Sequence, residues 1–273
     1  MNTIRTGLLF LLGLGGLPLL AAEPAALVPL PSVPDFTRGS GWGLALGLGV
    51  EVESAYDGSD EYELELEPAG ALQWRSGNQM VYWEGFQLGW RGRLAQDWLV
   101  QAGVRYEGGL EPDDSEKGRL DGIAERDSHV AGFLEIRRSI GEEFRNWVGG
   151  FVLGGESDFG WLGLLAAGHR CGEALDGTGS EIFVFATFGT DAFFNKDFGV
   201  TAADAAASGL EQTELSGGYR SVGLTWVDRR NLTEHLQLVM QAGVEGYSSE
   251  IRESPIARDS FEAEVGISLL WRF

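Results

Sequence analysis

Glu61, Glu63, Glu65 and Glu67 occupy every second position of one short run, and Tyr62, Leu64 and Leu66 fill the places between them. A period of two sends successive side chains to opposite faces of a strand, so this run carries carboxylates on one side and apolar groups on the other. Unpaired carboxylates are too costly to face a packed apolar core. They are tolerated in a wet barrel lumen while the leucines face lipid. The same alternation places Glu51 and Glu53 opposite Val50 and Val52, and Glu262 and Glu264 opposite Ala263 and Val265. With Glu245 these form a set of eight: Glu51, Glu53, Glu61, Glu63, Glu65, Glu245, Glu262 and Glu264. They are expected to approach one mouth, on first and last strands that become neighbours when the sheet closes. Arg75, Arg91, Arg93, Arg229, Arg230 and Arg272 are expected at the opposite end. Two readings stay open: an acidic vestibule biased against anions, or carboxylates that pair with Arg105 and other lumen bases and fill the interior.

Other chemistry is sparse. The imidazoles are His129, His169 and His235. Ser128 adjoins His129, but neighbours on a strand point apart, which is poor geometry for a nucleophile and its base. No nucleophile-elbow motif occurs. Asp57, Asp60, Asp113, Asp114 and Glu116 offer oxygen ligands in loops without calcium-loop spacing. No catalytic residue, cofactor or metal is therefore expected. Cys171 is the single cysteine, so the chain forms no internal disulfide. Against 41 Asp and Glu stand 20 Lys and Arg, a formal charge of −21. That balance argues against nucleic acid, which requires a basic footprint.

These residues need a scaffold of strands. Residues 1–22 read as a secretory signal, with Arg5 before the apolar run Gly7 to Leu20 and a small-residue exit at Ala21 and Ala22. Residues 23–41 carry Pro24, Pro29, Pro31 and Pro34 and read as an extended periplasmic leader. From Trp42 onward alternating segments recur, with Trp and Tyr at many of their ends, the placement of interfacial girdles. No other stretch is long and apolar enough for a membrane helix, so a membrane-spanning chain must be a barrel. The expected fold is all-β: a transmembrane antiparallel β-barrel of about twelve strands over residues 42–273. Eleven strands are countable, and an even number is required if both ends lie in the periplasm. The missing one is expected from division of Met80 to Arg93 around Gly85. The long segments 107–127, 191–213 and 247–260 then lie outside, and the turns near 141–146, 171–180 and 228–233 inside.

The last strand alternates Ala263, Val265, Ile267, Leu269, Trp271 and Phe273 against Glu264, Gly266, Ser268, Leu270 and Arg272. An apolar strand ending on Phe resembles the C-terminal strand by which the barrel-assembly machinery recognises outer-membrane proteins. Val265, Ile267, Leu269, Trp271 and Phe273 are the expected insertion signal. Four separated motifs extend the likeness: YDGSDEYELELEP (Tyr56 to Pro68), PDDSEKGRLDGI (Pro112 to Ile123), FGVTAADAAASGL (Phe198 to Leu210) and SPIARDS (Ser254 to Ser260). Together they resemble the MipA/OmpV family of outer-membrane proteins over residues 41–273, with a departure at Glu67 and Pro68, where the family is more apolar. The resemblance implies an outer-membrane barrel of a Gram-negative envelope, in contact with lipid and lipopolysaccharide and without established catalytic residues. One branch of that family is a scaffold between a lytic transglycosylase and a penicillin-binding protein. A narrow channel for small cationic or neutral solutes is the alternative.

Overall fold

The computed structural model describes residues 40–141, 144–156, 159–171 and 178–273. The expected signal, and the leader up to residue 39, lie outside them. Twelve strands close into one antiparallel barrel. They are β1 Gly41–Ser54, β2 Tyr62–Ser76, β3 Gln79–Glu84, β4 Gln87–Ala95, β5 Trp98–Glu107, β6 His129–Ile140, β7 Asn146–Gly154, β8 Trp161–Cys171, β9 Gly179–Gly189, β10 Gly218–Asn231, β11 Leu236–Tyr247 and β12 Phe261–Arg272. Closure comes from β1, which pairs with β2 on one side and β12 on the other, with Leu46 opposite Gly70 and Trp271 respectively.

The twelfth strand lies where the count demanded it. Gly85 takes a left-handed φ of 53°, so Met80 to Arg93 folds back on itself as the β3–β4 hairpin, with Glu84 opposite Gln87. One expected boundary moves. The last turn, expected near 228–233, falls at 232–235, because the β10–β11 ladder continues to Asn231 opposite Gln237.

Outward positions are apolar and exposed on most of the strands, among them Leu48, Leu64, Leu88, Leu165, Val184 and Ile267. Lipid replaces water as their solvent. Trp42, Trp74, Trp98 and Trp271 are exposed at the end with the short turns, and Trp161 at the other. Inward positions are filled. Tyr82, Phe133, Trp147, Phe151, Leu164, Phe183 and Phe185 pack together across the lumen side of β3 to β9. Glycines make room for those rings. A Cβ on Gly168 would stand 2.4 Å from the Trp147 indole, and one on Gly223 would stand 2.2 Å from the Phe185 ring.

Long connections gather at one end, the loop end, and fold over it as a cap. The segment after β9 forms α1 Asp191–Phe198 and α2 Ala202–Ser208, and the segment after β11 forms α3 Ser249–Arg252. Phe193, Phe194, Phe198 and Ile251 from these helices join the lumen cluster. Tyr56, Leu110, Leu120, Ile123, Val200 and Ile256 make a second core from the loops themselves. The mouth is thus covered by a packed layer whose apolar groups continue those of the lumen.

Candidate functional site

The alternation that sends Leu64 and Leu66 outward turns Glu63, Glu65 and Glu67 inward, on the same face as buried Glu61 and Gln73. Register then brings acids together. Glu51 opposes Glu65, and Glu53 opposes Glu63, across β1 and β2. Carboxylate oxygens of Glu53, Glu65 and Glu67 lie within 4.8 Å of one another. On the other side of the closing seam Glu245 opposes Glu262. All eight glutamates singled out above therefore lie on β1, β2, β11 and β12 or the loop beside them, toward the loop end.

Their surroundings are specific. Glu51 accepts from Gln241 Nε2 at 3.0 Å. Glu61 accepts from the Ser115 hydroxyl at 2.6 Å and the Lys117 amide at 3.0 Å, which ties the β5–β6 loop to the start of β2. Glu262 accepts from the Gly58 amide. Arg220 donates to Glu245 at 2.6 Å and also to Asp57. Its guanidinium lies 5.7 Å from the Phe198 ring centre and 5.2 Å from that of Tyr247. Arg220 thereby joins the first loop, two strands and the helical cap. Burial pushes the Asp57 carboxyl above its ordinary range, and the facing Arg220 opposes that rise without cancelling it. Asp60, by contrast, bonds Arg119 at 3.0 Å, which holds its carboxyl low. Glu264 is buried on the inward face of β12. Arg105 pairs with Glu107 at 2.5 Å, two residues along its own strand, not with the set of eight.

A second polar network, nearer the turn end, was not singled out from the sequence. Glu135 and Glu181 are buried there with Arg137. Gln101 Nε2 donates to Glu135 at 2.5 Å, Trp147 Nε1 donates to Glu181 at 2.8 Å, and Arg137 lies 3.5 Å from Glu181. Arg137 also sits 4.4 Å from the Trp147 ring centre. The available signal was Glu135 and Arg137 on the inward beat of β6, but their partners on β7 to β9 are distant in sequence.

The imidazoles are dispersed. His129 packs edge-on against Phe159 at 5.3 Å. His169 contacts Asn146 at 2.7 Å. His235 stacks on Trp271 and contacts the Arg272 carbonyl at 3.0 Å. Of the five loop oxygen donors considered for metal, Asp57 and Asp60 are engaged by arginine, and Asp114 accepts the Glu111 amide at 2.8 Å.

A family model described as MltA-interacting protein MipA matches residues 46–273. A search of curated proteins finds no match. Among solved structures, CymD, a monoaromatic hydrocarbon channel, aligns at 8% identity over 87% of this chain and 89% of its own, with a TM-score of 0.40. The Ralstonia pickettii toluene transporter TbuX aligns at 11% identity over 86% of this chain and 90% of its own, with a TM-score of 0.39. The outer-membrane channel DcaP of Acinetobacter baumannii aligns at 9% identity over 88% of this chain and 100% of its own, with a TM-score of 0.36.

Proposed function

The chain belongs to the family of MltA-interacting protein MipA, and from that premise we propose that it is a non-enzymatic outer-membrane barrel serving as a docking platform for murein-synthesis and murein-hydrolase proteins. One observation carries the reading beyond the family name: the inward side chains pack against one another. Tyr82, Leu164, Gln73, Gln101, Ser221 and Thr225 are all buried, and the cap adds Phe194, Phe198 and Ile251 over the mouth. A barrel of this strand number can be filled by side chains. A filled barrel offers a rigid anchor rather than a conduit, and its useful surface is then at its ends. The partner classes are a lytic transglycosylase and a penicillin-binding protein, met on the periplasmic side by the leader and the short turns. After cleavage of residues 1–22, the leader is the first docking element.

The test is crosslinking of intact envelopes followed by purification of the full chain and of a variant lacking residues 24–38. Capture of a murein hydrolase or synthase by the full chain, lost on deletion, supports the reading. Absence of both from the full-chain sample overturns it.

A narrow channel for small cationic or neutral solutes is the second reading, favoured by the half-buried Glu53, Glu63, Glu65 and Glu67. Together with Glu51, Glu61, Glu245, Glu262 and Glu264 they would form an acidic vestibule that disfavours anions. Its test is the reversal potential of single channels in a salt gradient. Cation selectivity supports it; anion selectivity or absence of conductance ends it.

A further inference from the structure

The loops of the covered end meet at one buried point. Arg220, Glu245, Tyr247 and Glu262, from β10, β11 and β12, are all at least nine-tenths buried. The first loop reaches down to them. Arg220 donates to both Asp57 and Glu245, and the Gly58 amide donates to Glu262. The cap rests on the same residues. Phe198 of α1 lies edge-on to the Tyr247 ring at 5.6 Å and against the Arg220 guanidinium. The Ser248 amide, at the start of α3, donates to the Arg220 carbonyl at 2.7 Å, and the Arg258 amide donates to the Gly58 carbonyl at 2.6 Å.

Charge does not balance there. Asp57, Glu245 and Glu262 share one guanidinium, that of Arg220, among the described residues. Lys196, the other base near Asp57, is engaged by Asp197 at 2.9 Å and also feels Glu107. Ionised together, Asp57, Glu245, Glu262 and Asp197 outnumber Arg220 and Lys196 two to one. Arg220 answers Asp57 and Glu245, and the Ser221 hydroxyl also bonds Glu245. Glu262 accepts from an amide, and among the described residues no cation bonds it. Beside it the buried Tyr247 hydroxyl, in the field of Glu262, Asp57 and Glu245, has no hydrogen-bond partner among the described residues. Buried carboxyls in excess of their bases keep a proton, because like charges at close quarters cannot all ionise. A neutral carboxyl also brings an O–H donor, and a tyrosine hydroxyl can accept it.

We propose that Asp57 and Glu262 share a proton that locks the first loop beneath the cap, and that loss of this proton at alkaline pH releases the cap from the mouth. With both carboxyls ionised, repulsion falls between β12 and the loop that carries Asp57 and Gly58. That loop has little room to adjust in place: a Cβ on Gly58 would stand 3.1 Å from the Ala257 side chain and 3.2 Å from the Phe198 ring. Its movement therefore unseats Phe198, and α1 with it. Asp57 is half-buried at the rim of the cluster, so protons exchange with solvent there. Burial lifts the Asp57 carboxyl above its ordinary range. A raised folded value gives stability that is present in acid and lost as pH rises through that value. The lock acts at the loop end and is independent of periplasmic docking.

The experiment uses the full chain in lipid nanodiscs, with Cys171→Ser and nitroxides attached at Ala206→Cys, exposed on α2, and Val184→Cys, exposed on the outer face of β9. The distance between the two spins, measured by pulsed electron resonance, reads the position of the cap. A single narrow distance is expected at about pH 6. A second, broader population should grow at least about fivefold by about pH 10, since one released proton shifts such an equilibrium by up to about tenfold per pH unit. Glu262→Gln keeps an acceptor for the Gly58 amide and cannot ionise, so it should hold the narrow distance throughout. A parent that does not respond, or a Glu262→Gln that responds as the parent does, overturns the proposal. Should Glu262→Gln fail to fold, Asp57→Asn takes its place: loss of the alkaline response supports the proposal, and an unchanged response overturns it.

Discussion

Arg126, in the loop after β5, places its guanidinium against the last turn of α1, with Nη1 2.8 Å from the Asn195 carbonyl. The same side chain bonds the carbonyls of Lys196 and Gly199. A helix C-terminus leaves carbonyls without intrahelical partners, and a planar cation satisfies several at once. One residue thus clips two loops together over the mouth.

Removing that clip should loosen the cap and leave the barrel intact. For Arg126→Ala we expect a loss of about 2–3 kcal/mol in local cap stability, or roughly a 30-fold to 150-fold rise in the open population. Limited proteolysis within 190–217 reads it, while heat-modifiable migration of the folded barrel should not change. Arg126→Lys should recover only part, since an ammonium lacks the fork.

Asp204 gives the cap a defined pH dependence. Burial works against its charge, but the Ala124 amide at 2.8 Å and the Thr201 hydroxyl and amide outweigh it, so the carboxyl is held below its ordinary value. A lowered folded pKa means a stabilising contribution present above the unfolded value of about 3.9 and lost as pH falls through the folded one. Hydrogen exchange of the Ala124 and Thr201 amides should therefore accelerate in Asp204→Asn relative to the parent near neutral pH. The two proteins should converge under strong acid. A gap that persisted there would contradict the assignment.

Interior packing is tested at Gly168. Its inward Cβ position is occupied by the Trp147 indole, so Gly168→Ala should cost about 1–3 kcal/mol by overpacking. The readout is the temperature at which the folded band is lost. Adding Trp147→Phe should recover part of the loss, because the smaller ring vacates the contact, even though the bond to Glu181 is lost.

Phe273 separates assembly from stability. Its side chain is 68% exposed, and its backbone amide donates to the Leu44 carbonyl at 2.9 Å. Phe273→Ser retains that amide and should change the melting of the folded barrel by under about 1 kcal/mol, as exposed sites do. If the terminal aromatic acts as an insertion signal, the same substitution will slow the appearance of folded protein in vivo while leaving that melting unchanged. A parallel fall in both would assign it a packing role instead.

The alternation of Leu64 and Leu66 with Glu63 and Glu65 was enough to state which face meets lipid, because strand geometry gives adjacent residues opposite directions whatever surrounds them. Parity of strand number, plus a glycine able to reverse the chain, likewise located the hairpin at Gly85 before any contact was known. Partner choice was beyond such reasoning. That Arg220 answers Glu245 and Asp57, or that Glu135 and Glu181 share Arg137, depends on side chains far apart in sequence meeting across a closed lumen, and closure fixes those meetings through register and shear. The half-length pairing of β3 with β2 is of the same kind. Each strand looks complete when read alone, and only the pairing reveals that β3 stops halfway along its neighbour.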